Sequence, residues 1–376
     1  MTRTLVITND FPTRRGGIES FVYALANRLP QDEVVVYTAS MPGDAELDRQ
    51  LPYRVVRDPV GTLLPTPAVA RRAIKVFHDA ECSSVLFGAA APLGLLAHRM
   101  REAGARRIVG LTHGHETWWA RVPGTRQMLR RIGDGCDVLT YVSEFCRRQI
   151  VPALSPSARD HMVRLAPGVD SEVFRPNHGG EQVRRRLGIG IDRPVLLSVS
   201  RFIARKGQDA LIRAMPAILS EVPEAVLLLV GDGPYRRRLE RLVHDRGVTR
   251  SVVFAGAVPW SEAPAVFDAG DVFAMPCRTR MGGLEPEALG IVFLEAQAAG
   301  SPVLVGNSGG APETVRHGET GYVVDPRDPA GIAVRAVELL GDTGKVRVLG
   351  DKGRAWVQEE WSWEQSVELL RRLLAG

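Results

Sequence analysis

A chain of 376 residues is long for a single hydrophobic core, so two domains are expected. Its 45% hydrophobic and 24% charged content is ordinary for a globular protein. The formal charge of +5 sits in the first half: residues 1–170 carry 22 Lys+Arg against 17 Asp+Glu, and residues 171–376 carry 26 of each. A basic half suits an anionic surface such as phospholipid or nucleic acid, although the count alone also reads as ordinary Arg-rich composition. Cys82, Cys136, Cys146 and Cys277 form no C-x2-C pair and stand beside no histidine cluster. That argues against a zinc site and against a disulfide framework. The N-terminus runs straight into a strand without a signal-peptide core. The most apolar run, Val85–Ala97, is broken by Gly88, Pro92 and Gly94 and is too short to span a bilayer. The expectation is a cytoplasmic protein with at most peripheral membrane contact.

In chain order, β-branched runs alternate with helical stretches. Strands are predicted at Thr4–Thr8, Val34–Tyr37, Arg54–Arg57, Val85–Phe87, Arg107–Thr112 and Val138–Val142. Helices are predicted at Gly17–Leu29 and Pro67–His78. The pattern restarts after a loop around Pro176–Gly180. Strands are then expected at Val195–Ser200, Ala225–Val230, Val252–Ala255, Val272–Ala274, Val303–Gly306 and Tyr322–Val324, with helices at Gln208–Leu219 and Arg236–Arg246. Leu369, Leu370, Leu373 and Leu374 mark a final amphipathic helix after Trp361-Ser362-Trp363. Two successive doubly wound units make a two-domain α/β protein, with ligands beyond the strand C-termini. The expected bounds are 1–172 and 173–356, with a helix over 357–376 returning to the first domain.

Glu287-Ala-Leu-Gly-Ile-Val-Phe-Leu-Glu295 is the most informative segment. A helix starting near Gly290 places Glu287 in the preceding loop and Glu295 inside the helix. Free N–H groups at a helix N-terminus attract phosphate, and a carboxylate accepts hydrogen bonds from sugar hydroxyls. A solvated Glu before a core helix is the plain alternative. Arg201 and Lys206 flank a post-strand loop and suit a diphosphate, since such cations can stabilise a departing nucleoside diphosphate without a metal; two solvated surface charges are the plain alternative. Asn9-Asp10-Phe11-Pro12 and Arg14-Arg15-Gly16-Gly17-Ile18 follow the first strand. Their paired glycines admit a phosphate, or simply a tight turn. Gly231-Asp232-Gly233 has Arg236 where a third glycine belongs, so no dinucleotide fingerprint stands here. Thr112-His113-Gly114-His115-Glu116 ends another strand and offers a histidine to a sugar hydroxyl, or simply holds one structural and one exposed histidine. Trp118-Trp119 with Arg121, Arg126, Arg130 and Arg131 suits a lipid headgroup interface as well as it suits a core Trp pair beside a solvated face.

Gly16-Gly17-Ile18, His113-Gly114-His115-Glu116, Arg201 with Lys206, Glu287-x7-Glu295 and Ser308-Gly-Gly-Ala-Pro-Glu313 occur in an order that resembles the retaining GT-B glycosyltransferases of family 4. The resemblance covers essentially the whole chain. It implies two Rossmann-like domains facing across a cleft. It also implies mannose transfer from GDP-mannose to a phosphatidylinositol mannoside, forming an α-(1→6) link. No cofactor, metal or nucleic acid is implied, and the protein would be peripheral at the inner face of the plasma membrane. Carried over to this chain, the donor side comprises Gly16, Gly17, Arg201, Lys206, Val258, Glu287, Gly290, Ile291, Val292 and Glu295. Glu287 contacts the sugar, Glu295 the ribose, and His113 approaches the transferred sugar. Asp10, His115, Glu116, Trp118 and Trp119 fall on the acceptor side. The sequence departs from the family there, at Glu19 and at Thr117–Ala120.

Overall fold

The computed structural model describes residues 3–14 and 16–376. Among them, β1 (Thr4–Ile7), β2 (Val34–Ala39), β3 (Arg54–Asp58), β4 (Ser84–Phe87), β5 (Arg107–Leu111), β6 (Val138–Tyr141) and β7 (Met162–Arg164) form one sheet. Its order is β3-β2-β1-β4-β5-β6-β7. A second sheet contains β8 (Val195–Val199), β9 (Val226–Val230), β10 (Val252–Gly256), β11 (Val272–Met275), β12 (Val303–Gly306) and β13 (Gly321–Val324), in the order β10-β9-β8-β11-β12-β13. Every pairing is parallel; β1 runs Thr4↔Val34 against β2 and Thr4↔Ser84 against β4. Parallel strands are covered on both faces, so they read as unbroken apolar runs. Val226–Val230 is Val-Leu-Leu-Leu-Val and wholly buried.

The connecting helices carry local start signals. Thr66 accepts the Val69 N–H with Pro67 next in line, and Asp328 accepts the Gly331 N–H before Pro329. Both are N-cap side chains followed by the residue best suited to the first helical position. In the second unit, Leu211, Met215 and Ile218 pack the Gln208–Glu221 helix against Leu227, Leu229 and Leu304.

The chain divides into residues up to Pro167 with Glu364–Gly376, and Gly168–Trp363. The first boundary thus falls before 172/173. The reason is local: the Val169 N–H donates to Trp361 O at 2.7 Å, and Arg354 reaches Ser171 O and Phe174 O. The Pro176–Gly180 loop is likewise fixed within the second unit, since the Asp268 carboxylate accepts the N–H groups of Asn177, His178 and Gly180. The expected 357–376 helix is two elements, Thr343–Glu360 and Trp363–Ala375, broken at Trp361-Ser362. The last one belongs to the first unit: Arg107 Nε donates to Leu373 O at 2.8 Å, Ser366 Oγ to Ala166 O at 2.9 Å, and Leu370 is fully buried.

Candidate active site

In each sheet the chain order reverses beside the first strand, between β1 and β4 and between β8 and β11. Such switch points open a crevice beyond the strand C-termini. In the second unit, the residues that follow β8, β11 and β12 converge on Glu287. Lys206 Nζ lies 2.7 Å and Arg205 Nη1 3.1 Å from Glu287 Oε2. Both cations come from the Ala204–Lys206 turn after β8. The Glu287 N–H donates to Ser308 Oγ at 3.2 Å, and Glu287 O accepts the Gly310 N–H at 2.9 Å. Gly309 has φ +58°, and a side chain there would strike the Glu287 carbonyl oxygen. The loop after β12 therefore grips the Glu287 backbone, while the turn after β8 grips its side chain.

Glu287 is 7% exposed. Burial acts to raise its pKa, but Lys206 and then Arg205 overcome that and hold the carboxyl below the ordinary range. Glu295 lies inside Ile291–Ala298, a helix entered through Gly290 at φ +92° with no side chain capping it. Burial pushes its carboxyl up to about 7. Among the described residues it has no hydrogen-bond or ion-pair partner to offset that. Ile291 and Val292 open this helix, as expected. Val258 is half-buried just past the end of β10.

Arg201 is exposed, and the second cation on Glu287 is Arg205, to which the sequence reading gave no role. Sequence reading missed Arg205 because neighbours on a helical turn ordinarily point apart. It also gave no role to Arg278, whose guanidinium is held by the Asp209 carboxylate and whose N–H donates to Arg205 O at 2.8 Å.

The first unit arranges its own groups at the β1, β4 and β5 ends. His113 is buried, and its Nε2 lies 2.6 Å from Gly88 O, with the Phe21 ring edge-on to it. A carbonyl only accepts, so Nε2 carries the proton and Nδ1 remains an acceptor while the ring is neutral. Burial lowers the His113 pKa and favours that neutral form. His115 Nε2 faces Ala91 O at 3.2 Å and Glu116 Oε1 at 3.3 Å. Glu116, expected on the acceptor side, is fully buried; its Oε2 accepts the His113 and Gly114 N–H groups and braces their turn. Asp10 is half-buried, and burial followed by the charge of Glu19 raises its pKa. Gly17 begins its helix with open space where a side chain would stand, whereas at Gly16 a side chain would meet Glu19. Arg15 lies outside the described residues.

Trp118 is exposed, and Trp119 packs against the apolar cluster that holds Leu129 and Ile132. Arg126, Arg130 and Arg131 stand exposed on the helix Pro123–Gly135, with Arg121 just before it. Arg121 Nη2 donates to Gln149 Oε1 at 2.7 Å and Arg126 Nη2 to Pro152 O at 2.8 Å. Among the described residues no group of three His, Cys, Asp or Glu is placed to hold a metal ion, and no helix is long and apolar enough to cross a membrane.

The family model for glycosyl transferases group 1 matches residues 180–356, and that for glycosyltransferase family 4 matches residues 15–173. The GDP-mannose-dependent alpha-(1-6)-phosphatidylinositol monomannoside mannosyltransferase of Mycolicibacterium smegmatis is 46% identical over 377 residues, covering 99% of this chain and 98% of that protein. The chain belongs to glycosyltransferase family 4. Within this family, the GDP-mannose-dependent monoacylated alpha-(1-6)-phosphatidylinositol monomannoside mannosyltransferase of Corynebacterium glutamicum is 42% identical, covering 99% of the chain and 97% of that protein. The crystal structure of Anabaena Alr3699/HepE in complex with UDP superposes with a TM-score of 0.83 at 20% identity, covering all of both chains. The fold of this family 4 glycosyltransferase is therefore GT-B.

Proposed function

We propose that this glycosyltransferase transfers mannose from GDP-mannose to a phosphatidylinositol mannoside, forming an α-(1→6) link with retention at the anomeric carbon. The cluster of Glu287 with Lys206 and Arg205 carries the reading. It sets an ionised, hydroxyl-accepting carboxylate beside two cations and the start of a helix, which are the two chemistries a nucleotide sugar presents. The mannose and the lipid follow from the end-to-end similarity to the mycobacterial and corynebacterial mannosyltransferases.

In this reading the second unit holds the donor. Lys206 and Arg201 engage the diphosphate, the Ile291 and Val292 N–H groups meet phosphate and sugar, Glu287 orients the mannose hydroxyls, and Glu295 takes the ribose. The bond from the anomeric carbon to the β-phosphate oxygen breaks, and the acceptor hydroxyl oxygen attacks the same face. The acceptor proton passes to the departing phosphate oxygen. Protein cations balance the charge that develops there. His113, neutral with Nδ1 as acceptor, meets a hydroxyl of the transferred sugar. Asp10, His115, Trp118 and Trp119 serve the acceptor. The reaction proceeds without a divalent cation, and the enzyme docks reversibly on the inner face of the plasma membrane.

The test is a donor screen against lipid acceptors with the product linkage assigned by NMR, run with and without EDTA. Mannose transferred from GDP-mannose in an α-(1→6) link, undiminished by EDTA, is the expected result. Transfer only to soluble acceptors would overturn the lipid assignment. Loss with EDTA that Mg²⁺ or Mn²⁺ restores would overturn the metal-free mechanism.

A further inference from the structure

Glu287 has two counter-ions on one oxygen, and the reaction proposed above calls one of them away. A carboxylate this buried is costly unless paired. A nucleoside diphosphate entering beside it draws the Lys206 ammonium toward its own negative charge. Lysine suits that movement, being a compact charge on a flexible stem. Among the described residues, Glu287 is the side-chain partner of Lys206. Were Lys206 alone, its swing would strand Glu287, which would then take up a proton and lose an acceptor for sugar hydroxyls.

We propose that Arg205 is a positioning residue, a resident counter-ion that keeps Glu287 ionised and oriented while Lys206 is engaged by the donor diphosphate. Its guanidinium is anchored independently of the ligand. Nη1 donates to Pro286 O at 3.0 Å as well as to Glu287 Oε2 at 3.1 Å. Glu285 Oε1 lies 3.9 Å from Nε. The Arg205 carbonyl is fixed by the Arg278 N–H, and Arg278 is itself clamped by Asp209. Lys206 is thus free to leave and Arg205 is not. The remaining groups around Glu287 do not replace it. The Cys277 thiol, after β11, is pushed by burial up to about 12 and stays neutral. Ser308, after β12, accepts the Glu287 N–H, and Glu285 carries the same charge as Glu287.

The inference rests on a nucleoside diphosphate occupying this site, so its test uses GDP binding as well as turnover. Arg205→Gln keeps a donor for Pro286 and removes only the charge, while Arg205→Lys restores the charge. GDP is titrated calorimetrically at pH 6 in buffers of different ionisation enthalpy, which counts protons taken up on binding. Wild type and Arg205→Lys are expected to take up almost none through Glu287, and Arg205→Gln to approach about one extra proton per GDP. Adding Glu287→Gln to Arg205→Gln should remove that extra uptake. With GDP-mannose, the acidic limb of kcat in Arg205→Gln should move up by about two pH units or more, and Arg205→Lys should bring it back. Equal proton uptake in wild type and Arg205→Gln, with the same acidic limb, would overturn the role of Arg205. The mannose reading fails separately, if wild type binds GDP but does not turn over GDP-mannose.

Discussion

Glu287 and Glu295 are the same residue type eight positions apart, and their surroundings give them opposite charge habits. Two cations hold Glu287 ionised, whereas burial alone pushes Glu295 up to about 7. A carboxyl raised in the fold keeps a proton that the unfolded chain releases above its ordinary value of 4.5. Stability therefore falls as pH rises from about 4.5 to about 7, and the full cost persists above that. Glu295→Gln should stabilise the fold at pH 8 by on the order of 1 kcal/mol after solvent screening, raising the thermal midpoint there and leaving it unchanged at pH 4.5. It should also weaken GDP binding. Scanning fluorimetry at the two pH values checks this, and an equal shift at both would count against it. Arg201 is exposed, so Arg201→Ala should leave the melting temperature alone. Its proposed place on the donor diphosphate predicts a kcat/KM loss of roughly 2–4 kcal/mol in transition-state terms. Steady-state kinetics within threefold of wild type would remove it from the diphosphate site. The places of the two glutamates, Lys206 and His113 were legible in the sequence because each is fixed relative to a strand end or a helix start. Arg205 was not, since its convergence with Lys206 depends on a short turn whose adjacent side chains meet one carboxylate.

At the scale of elements, the site depends on where loops leave the second sheet. Gly309 takes φ +58° with the Glu287 carbonyl against it, so Gly309→Ala forces the loop off Glu287. The strained backbone and the lost Gly310 hydrogen bond together should cost about 2–4 kcal/mol and most of the activity. Thermal melts and turnover check both. The helix Pro123–Gly135 carries Arg126, Arg130 and Arg131 on its exposed side, and Val122 and Met128 are exposed near them. Each basic residue near an anionic leaflet is worth about 1 kcal/mol, which suits weak docking. Wild type should co-sediment with liposomes containing phosphatidylinositol more than with neutral ones, less so at high salt, and Arg126→Ser/Arg130→Ser should lose most of the difference. Binding indifferent to lipid charge, salt and mutation would make this face merely solvated. Most strands were legible because parallel sheets demand long apolar runs. β7, two half-buried residues and an exposed arginine at a sheet edge, carries too short a pattern to be read.

At the scale of the molecule, the chain passes from the first unit to the second near Pro167 and returns near Trp363. Composition does not mark the first crossing; the backbone hydrogen bond from Val169 to Trp361 and those from the Arg354 guanidinium to the Ser171 and Phe174 carbonyls decide it. The last helix closes the first unit through Leu370 and Leu374, so Leu370→Ala should cost roughly 2–4 kcal/mol. The loss should appear in melts of the first unit, with GDP binding by the second largely preserved; an unchanged melting profile would show that the helix contributes little. This routing also has a consequence for synthesis on the ribosome. The first unit is begun earliest and finished last, because Leu370 and Leu374 emerge only after the whole of Gly168–Trp363. At typical translation rates the nascent first sheet waits roughly 10–40 s for its covering helix. Through that interval its unfinished apolar surface is open to chaperones and to neighbouring nascent chains, while Gly168–Trp363 is free to fold at once.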